Sequence, residues 1–303
     1  MLRMPRLIGR GLVVTLAACG NPAEPPLRDP HGLLLVIRGA GRTQEIYALR
    51  SDGTDPRRLT HNTLLDVMPD WSPDGRHIVF IRVQDSASGV AIPGNELWTM
   101  NADGSSQRRL VDATNSPIHP RWSPDGRQIA FDAYDPSVGM FRPHLMNADG
   151  SNVHALSSAA GNAYYVEWAP DGTKLLFLSN RAPPYGEAIY VIQTDGSGER
   201  QLTDTSACNS SVGESRWSPD GARIAYGCAL GDTIYTIDSA GKNRVLVTSP
   251  GAGPVWSPDV RQIAFTSGRD GGFNIYVEDL ASGTISRVTH DGVTYLAAWG
   301  GGQ

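Results

Sequence analysis

Apolar and polar residues alternate along this chain in short runs rather than at helical spacing. In "RHIVFIR" (76–82), Ile78 and Phe80 face one way and Val79 and Ile81 the other, so the strand is apolar on both sides and needs cover on both. Related runs recur as "RQIAF", "TKLLF", "ARIAY" and "RQIAF", each preceded by "WSPDG" or a close variant at Trp71, Trp122, Trp168, Trp217 and Trp256. A partner segment follows each time and also opens the series, from "IYALRSDGTDPRRLT" (46–60) to "IYVEDLASGTISRVT" (275–289). The spacing between units is about 39 to 51 residues, a period that belongs to propellers and solenoids.

Turn chemistry divides each unit into four strands. In Ser72-Pro73-Asp74-Gly75, proline presets the first turn position, aspartate suits the second and glycine supplies the left-handed residue that closes a tight hairpin. "NADGS" does the same between the third and fourth strands. One strand ends in Trp, one reads "IAF", one "IYV" and one ends in "LT". Six such meanders predict an all-β, six-bladed β-propeller of four-stranded antiparallel blades. The first unit begins in its second strand, "LLLVIR" (33–38), and the last stretch, "VTYLAAW", is a Trp strand alone. Pairing 294–299 with 33–38 would complete one blade and remove the open edges of the array. In the fifth copy Val260 stands where the others have glycine. Either that turn changes type, or Val260→Gly stabilises the fold.

The "WSPDGRQIAF" and "MNADGS" units resemble the propeller repeats of the TolB family, and the resemblance runs from about residue 33 to 299. It implies the propeller fold, from which a function does not follow by itself. TolB itself carries a preceding α/β domain, for which residues 20–32 leave no room, and prolyl-oligopeptidase-type enzymes add a hydrolase domain that this sequence lacks. The expectation is a stand-alone propeller over 33–303.

The first residues differ in kind. Arg3, Arg6 and Arg10 precede the apolar "GLVVTLAAC", the order of a secretory signal. Leu16-Ala17-Ala18-Cys19 resembles a bacterial lipobox, which implies a signal peptide over 1–19, lipid on the Cys19 thiol and outer-membrane delivery. An ordinary cleaved signal is the alternative. "GNPAEPPLRDP" then reads as a Pro-rich tether over 20–32. The expected location is exported and membrane-anchored, facing the periplasm or the cell surface, with no membrane contact beyond the lipid. Net charge is -5 without a basic block, which argues against a nucleic-acid partner. Of three cysteines, Cys208 and Cys228 remain after Cys19. Counted back from the hairpin, Cys228 lies opposite about Gly213, so a disulfide between the two suits an oxidising compartment.

Two rims follow from the meander. "SPDG" and "ADGS" turns share one and are nearly uniform, whereas the other carries loops of varied length, such as 83–95, 132–143, 178–187 and 267–273. Recognition belongs on such irregular loops. Candidate binding residues there are Phe141, Tyr164, Tyr165, Asn180, Arg181, Tyr185, Arg269 and Tyr295. Asp70, Arg121, Glu167 and Arg216, counted with the same binding rim, precede four tryptophans in turn and alternate in charge near the axis. They form either a ring of inter-blade ion pairs or a polar channel mouth that receives a peptide end or a sugar. No G-x-S-x-G, H-E-x-x-H, C-x-x-C or phosphate loop occurs, so no catalytic residue and no cofactor are assigned. Some TolB-like propellers are lyases that hold a metal with channel histidines, which makes His61, His119 and His290 candidates for a metal site, although the favoured reading is three exposed histidines and no metal. The favoured reading is a monomeric, non-enzymatic binding propeller that engages a protein or an envelope polymer. The alternative is an oligosaccharide-binding protein or lyase acting at the channel mouth.

Overall fold

The computed structural model describes residues 32–39, 43–84, 94–156, 161–182, 186–204, 208, 212–228 and 232–300. Cys19 and Tyr185, with the signal and most of the tether, lie outside these residues. Six four-stranded antiparallel sheets follow one another along the chain. Their innermost strands are Thr294–Trp299, Leu65–Trp71, Ile118–Trp122, Ala163–Trp168, Val212–Trp217 and Ala252–Trp256, numbered here as the inner strands of blades 1 to 6. Each touches the next, and the sixth touches the first, so they enclose a central channel.

Blade 1 is made from both ends of the sequence. Thr294–Trp299 pairs with Leu33–Arg38, with Leu34 opposite Trp299 and Arg38 opposite Thr294. The join continues past the strands, where the Gly32 N–H donates to the Gly300 carbonyl at 2.8 Å. The closing strand therefore pairs at the residues where the repeat pattern breaks off.

Six hydrophobic clusters lie at the six blade boundaries. Ile78 and Phe80 pack with Leu35 and Ile46 of blade 1, while Val79 and Ile81 pack with Phe131 and Met146 of blade 3. This is the two-sided cover that "HIVFI" requires. The turns use their polar residues internally. Ser72 Oγ donates to Asp74 Oδ1 at 2.6 Å, and that oxygen accepts the Arg76 N–H at 3.0 Å. The same pattern recurs at Ser123 and Asp125, Ser218 and Asp220, and Ser257 and Asp259. The threonine of "LT" is equally structural, since the hydroxyls of Thr60, Thr203 and Thr289 accept the N–H of Ile46, Ile189 and Ile275, each at 3.0 Å.

One glycine locks neighbouring blades together. A Cβ on Gly53, which has φ +85°, would lie 2.2 Å from the Val288 carbonyl oxygen of blade 6. The turn of blade 1 can approach blade 6 that closely only without a side chain. Val260 keeps the turn its neighbours use. Its φ is 62°, and its N–H donates to the Ser257 carbonyl at 3.0 Å, as Gly221 donates to Ser218 at 2.8 Å.

Candidate functional site

Every inner strand carries a β-bulge just ahead of its tryptophan. Register shifts fall between Val67 and Asp70, Ile118 and Arg121, Tyr164 and Glu167, Val212 and Ser215, and Ala252 and Val255, with a matching shift in blade 1. Bulges re-aim the side chains around them. The position three before the tryptophan is held by Met68, His119, Tyr165, Glu214, Gly253 and Leu296 in turn. Met68, His119 and Tyr165 adopt φ of 53°, 50° and 60° there, a conformation such residues keep only when their surroundings enforce it.

At His119 and Tyr165 the enforcing group is Asp132. Its Oδ2 accepts the Tyr165 N–H at 2.7 Å and meets His119 Nδ1 at 3.0 Å, across the boundary of blades 3 and 4. Asp132 is fully buried, and burial raises its carboxyl above the ordinary value. Thr266 makes a comparable bond across the boundary of blades 6 and 1, accepting the Leu296 N–H at 3.0 Å. His119 is itself buried, with its ring 4.0 Å from that of Tyr165.

The bulges divide the channel into two halves. Blades 3, 4 and 5 present His119, Tyr165 and Glu214, then Arg121, Glu167 and Arg216 one turn of the strand further on. Blades 6 and 1 present Gly253 and Leu296, then Val255 and Ala298, and blade 2 presents Met68, then Asp70. A cavity of about 660 Å³ opens on the apolar half at the variable rim. Its wall includes Leu65, Met68, Pro250, Phe273, Tyr295 and Leu296, and Glu214 faces it from the polar side. Burial alone would raise the Glu214 carboxyl, but Arg216, Arg121 and His119 outweigh it and hold it below the ordinary value. The rim of the cavity is aromatic, with Phe273 exposed and its ring 5.1 Å from that of Tyr295.

The charged ring lies at the opposite end. Asp70, Arg121, Glu167 and Arg216 share small clefts with Pro73, Pro124, Pro219 and Pro258 of the uniform turns, not with the variable loops. Grouping them with the variable rim is thus corrected, and the reason is simple: a residue beside the tryptophan is also beside the turn that follows it. Glu167 Oε2 accepts from Arg121 Nε at 3.0 Å and from Arg216 Nη1 at 2.8 Å. Asp70 Oδ2 accepts the Trp122 N–H at 2.9 Å, and burial, aided by Glu167 and opposed by Arg121, pushes its carboxyl up to about 6.

Other candidates are committed within their own blades, except that Arg269 also reaches into blade 5. Arg181 lies over the rings of Phe177 and Tyr190 and pairs with Glu199. Arg269 lies over Phe265 and Tyr276 and donates to Thr248 Oγ1 at 3.1 Å. Phe141 sits edge-on to Tyr134, and the Tyr164 hydroxyl donates to Glu187. Asn180 is exposed, and its Oδ1 accepts the Asn162 N–H at 3.1 Å. Tyr295, by contrast, lines the cavity.

Cys208 and Cys228 form a disulfide that ties the segment entering blade 5 to its second strand. Cys228 pairs with Val212 rather than Gly213, because the bulge adds a residue to the inner strand. Of the three candidate metal ligands, His119 is buried against Asp132, while His61 and His290 are exposed. Among the described residues no three His, Cys, Asp or Glu side chains are grouped to hold a metal ion. Sequence reasoning missed Met68, Glu214, Gly253 and Leu296. A count of three back from each tryptophan picks out these positions, but only the bulge turns them toward the channel.

Six closed blades around a channel with a cavity at one mouth define a six-bladed β-propeller. The family model described as TolB beta propeller domain matches residues 83–252, more than half of the chain, and the chain belongs to that family. An uncharacterized protein of Agrobacterium fabrum is 35% identical over 31% of this chain and only 30% of its own length. Among solved structures, TolB from Acinetobacter baumannii superposes with a TM-score of 0.73 over 88% of this chain and 67% of its own, at 15% identity. An oligogalacturonate lyase in complex with manganese gives a TM-score of 0.58 over 80% of this chain and 73% of its own, at 18% identity. At such identities these two likenesses speak for the fold alone. The fold supports a scaffold or binding role.

Proposed function

We propose that this protein is a binding propeller of the bacterial cell envelope that holds a segment of a partner protein or envelope polymer in the variable-rim cavity. The observation that carries this reading is the cavity of about 660 Å³, apolar on one side and faced by Glu214 on the other. Concave apolar sites with a few placed polar groups are where ligands settle. A segment with an apolar side chain and a nearby positive charge suits both walls. The protein acts as a monomer, needs no cofactor, and is held to a membrane through lipid on Cys19 at the end of the tether. Gly32 and Gly300 meet on the face of the uniform turns, so a tether entering there leaves the cavity turned outward.

The test is site-specific photo-crosslinking in cells. A photoreactive side chain at Phe273 or Tyr295 should give discrete adducts that Leu296→Asp abolishes. The same group at Val245, on the outer edge of blade 5, should give none. Equal adducts from all three positions, or adducts indifferent to Leu296→Asp, would remove the rim from the function.

A further inference from the structure

The six blade boundaries differ at one repeated place. At three boundaries the residue six positions after a tryptophan, which begins the second strand, leans over the tryptophan of the following blade, while Gln128 and Gln262 hold that place at two others. At the boundary of blades 4 and 5 it is Lys174, whose Nζ lies 5.6 Å from the centre of the Trp217 ring. At the next boundary it is Arg223, with its guanidinium carbon 4.6 Å from the Trp256 ring. In each case a cation covers the aromatic face, an attraction between positive charge and the ring quadrupole. Trp217 and Trp256 are buried beneath these cations.

Between blades 2 and 3 the corresponding residue is His77, a short ring 6.4 Å from that of Trp122. Trp122 is left half-buried, and a surface groove of about 440 Å³ opens beside it. Asp74, Asp125 and Asp149 line that groove, and Arg108 is the one arginine lining it with them. Arg108 is spent on the floor, donating to the Asp149 carbonyl at 3.2 Å. Each aspartate commits Oδ1 to its own turn, through Arg76, Arg127 and Ser151. Among the described residues, Oδ2 of each makes no hydrogen bond, and Arg127 approaches that of Asp125 only to 3.9 Å.

We propose that this groove receives an arginine side chain from a partner protein, which takes over Trp122 the place that Lys174 and Arg223 occupy at their own boundaries. Arginine fits better than lysine, because a planar guanidinium stacks on the indole while its edge donates to carboxylates. The groove is on the face opposite the variable-rim cavity, so this contact stands or falls independently of that site.

The experiment follows indole N–H resonances of the full-length protein by NMR, with Trp122 assigned through Trp122→Phe. The probe is the tripeptide acetyl-Gly-Arg-Gly-amide, beside its citrulline counterpart and free choline. The arginine peptide should move the Trp122 resonance saturably, and the citrulline peptide should not. His77→Lys supplies the missing cation from within and should weaken the peptide at least about ten-fold, the loss expected when one cation–π contact is pre-empted. Its melting temperature should stay level or rise, which separates loss of binding from loss of fold. Asp125→Asn should weaken binding less, and only at low salt. Binding of the citrulline peptide equal to that of arginine, or full binding by His77→Lys, would overturn the proposal. Choline binding as tightly as the arginine peptide would overturn the assignment to a protein partner.

Discussion

Arg121 of blade 3 donates through Nε to Glu167 Oε2 of blade 4 at 3.0 Å, and that same oxygen takes a second arginine, Arg216 of blade 5, at 2.8 Å. One carboxylate thus ties three consecutive blades at the channel end lined by the uniform turns. Both guanidinium groups are buried, and although Arg216 also meets Glu214 Oε2 at 3.2 Å, Glu167 is the carboxylate they share.

Glu167→Gln should therefore destabilise the protein by about 3 kcal/mol, the cost of leaving buried charges unmatched. Urea denaturation of Glu167→Gln, Arg121→Met and the double variant gives the coupling. A value above about 1 kcal/mol is expected for residues in direct contact. Strict additivity would reduce the ring to a coincidence of spacing.

Asp70 makes stability depend on pH. Burial raises its carboxyl from 3.8 to about 6, with Glu167 adding to the effect and Arg121 opposing it. The folded state then holds this proton more tightly than the unfolded one. The stabilisation is complete below about pH 4 and is lost as pH rises through about 6. Asp70→Asn keeps an acceptor for the Trp122 N–H without the buried charge. It should be the more stable protein at about pH 7.5, by an amount on the order of 2 kcal/mol, and the gap should close in acid. Paired urea melts at the two pH values check this.

Val260 carries a cost that its neighbours avoid. Its φ of 62° matches the 68° of Gly221, but a β-branched side chain resists that conformation. Val260→Gly should raise stability by about 1 kcal/mol, less whatever contact Val260 makes with the Trp256 cluster. Gly221→Val should lower it. Thermal melts of the two single variants decide the matter, and destabilisation by Val260→Gly would show that packing outweighs strain.

The last inner strand seals the ring. Removing 293–303 takes Leu296, Ala298 and Trp299 out of two hydrophobic clusters and exposes the edge of Leu33–Arg38. A fall in melting temperature of more than about 10 °C is expected, since several kcal/mol are lost from a domain of this size. Gly53→Ala, which forces a Cβ against the Val288 carbonyl, should weaken the same joint without removing any strand. An unchanged melt in both would mean that closure contributes little.

Much of this architecture can be read from the residues alone, because a repeat states its grammar several times over. The tryptophan, the "SPDG" turn and the two-sided "IVF" strand each follow from local chemistry, and an incomplete first unit matched to a lone last strand gives the closure. The bulges cannot be read that way. A bulge is a mismatch between two strands, and no single strand announces it. It displaced the partner of Cys228 by one residue and turned Met68, Glu214 and Leu296 toward the channel. Arg181 and Arg269 look like free recognition residues in a loop sequence, yet each spends its charge on aromatic rings of its own sheet. Only the fold brings those rings beneath them.

Gly32 and Gly300 sit side by side at one end of an antiparallel pair. Tension applied between them would peel that pair open like a zipper, loading its hydrogen bonds one after another rather than all at once. Heat would have to break the seam along its whole length, whereas a pull at this one corner loads a single bond at a time.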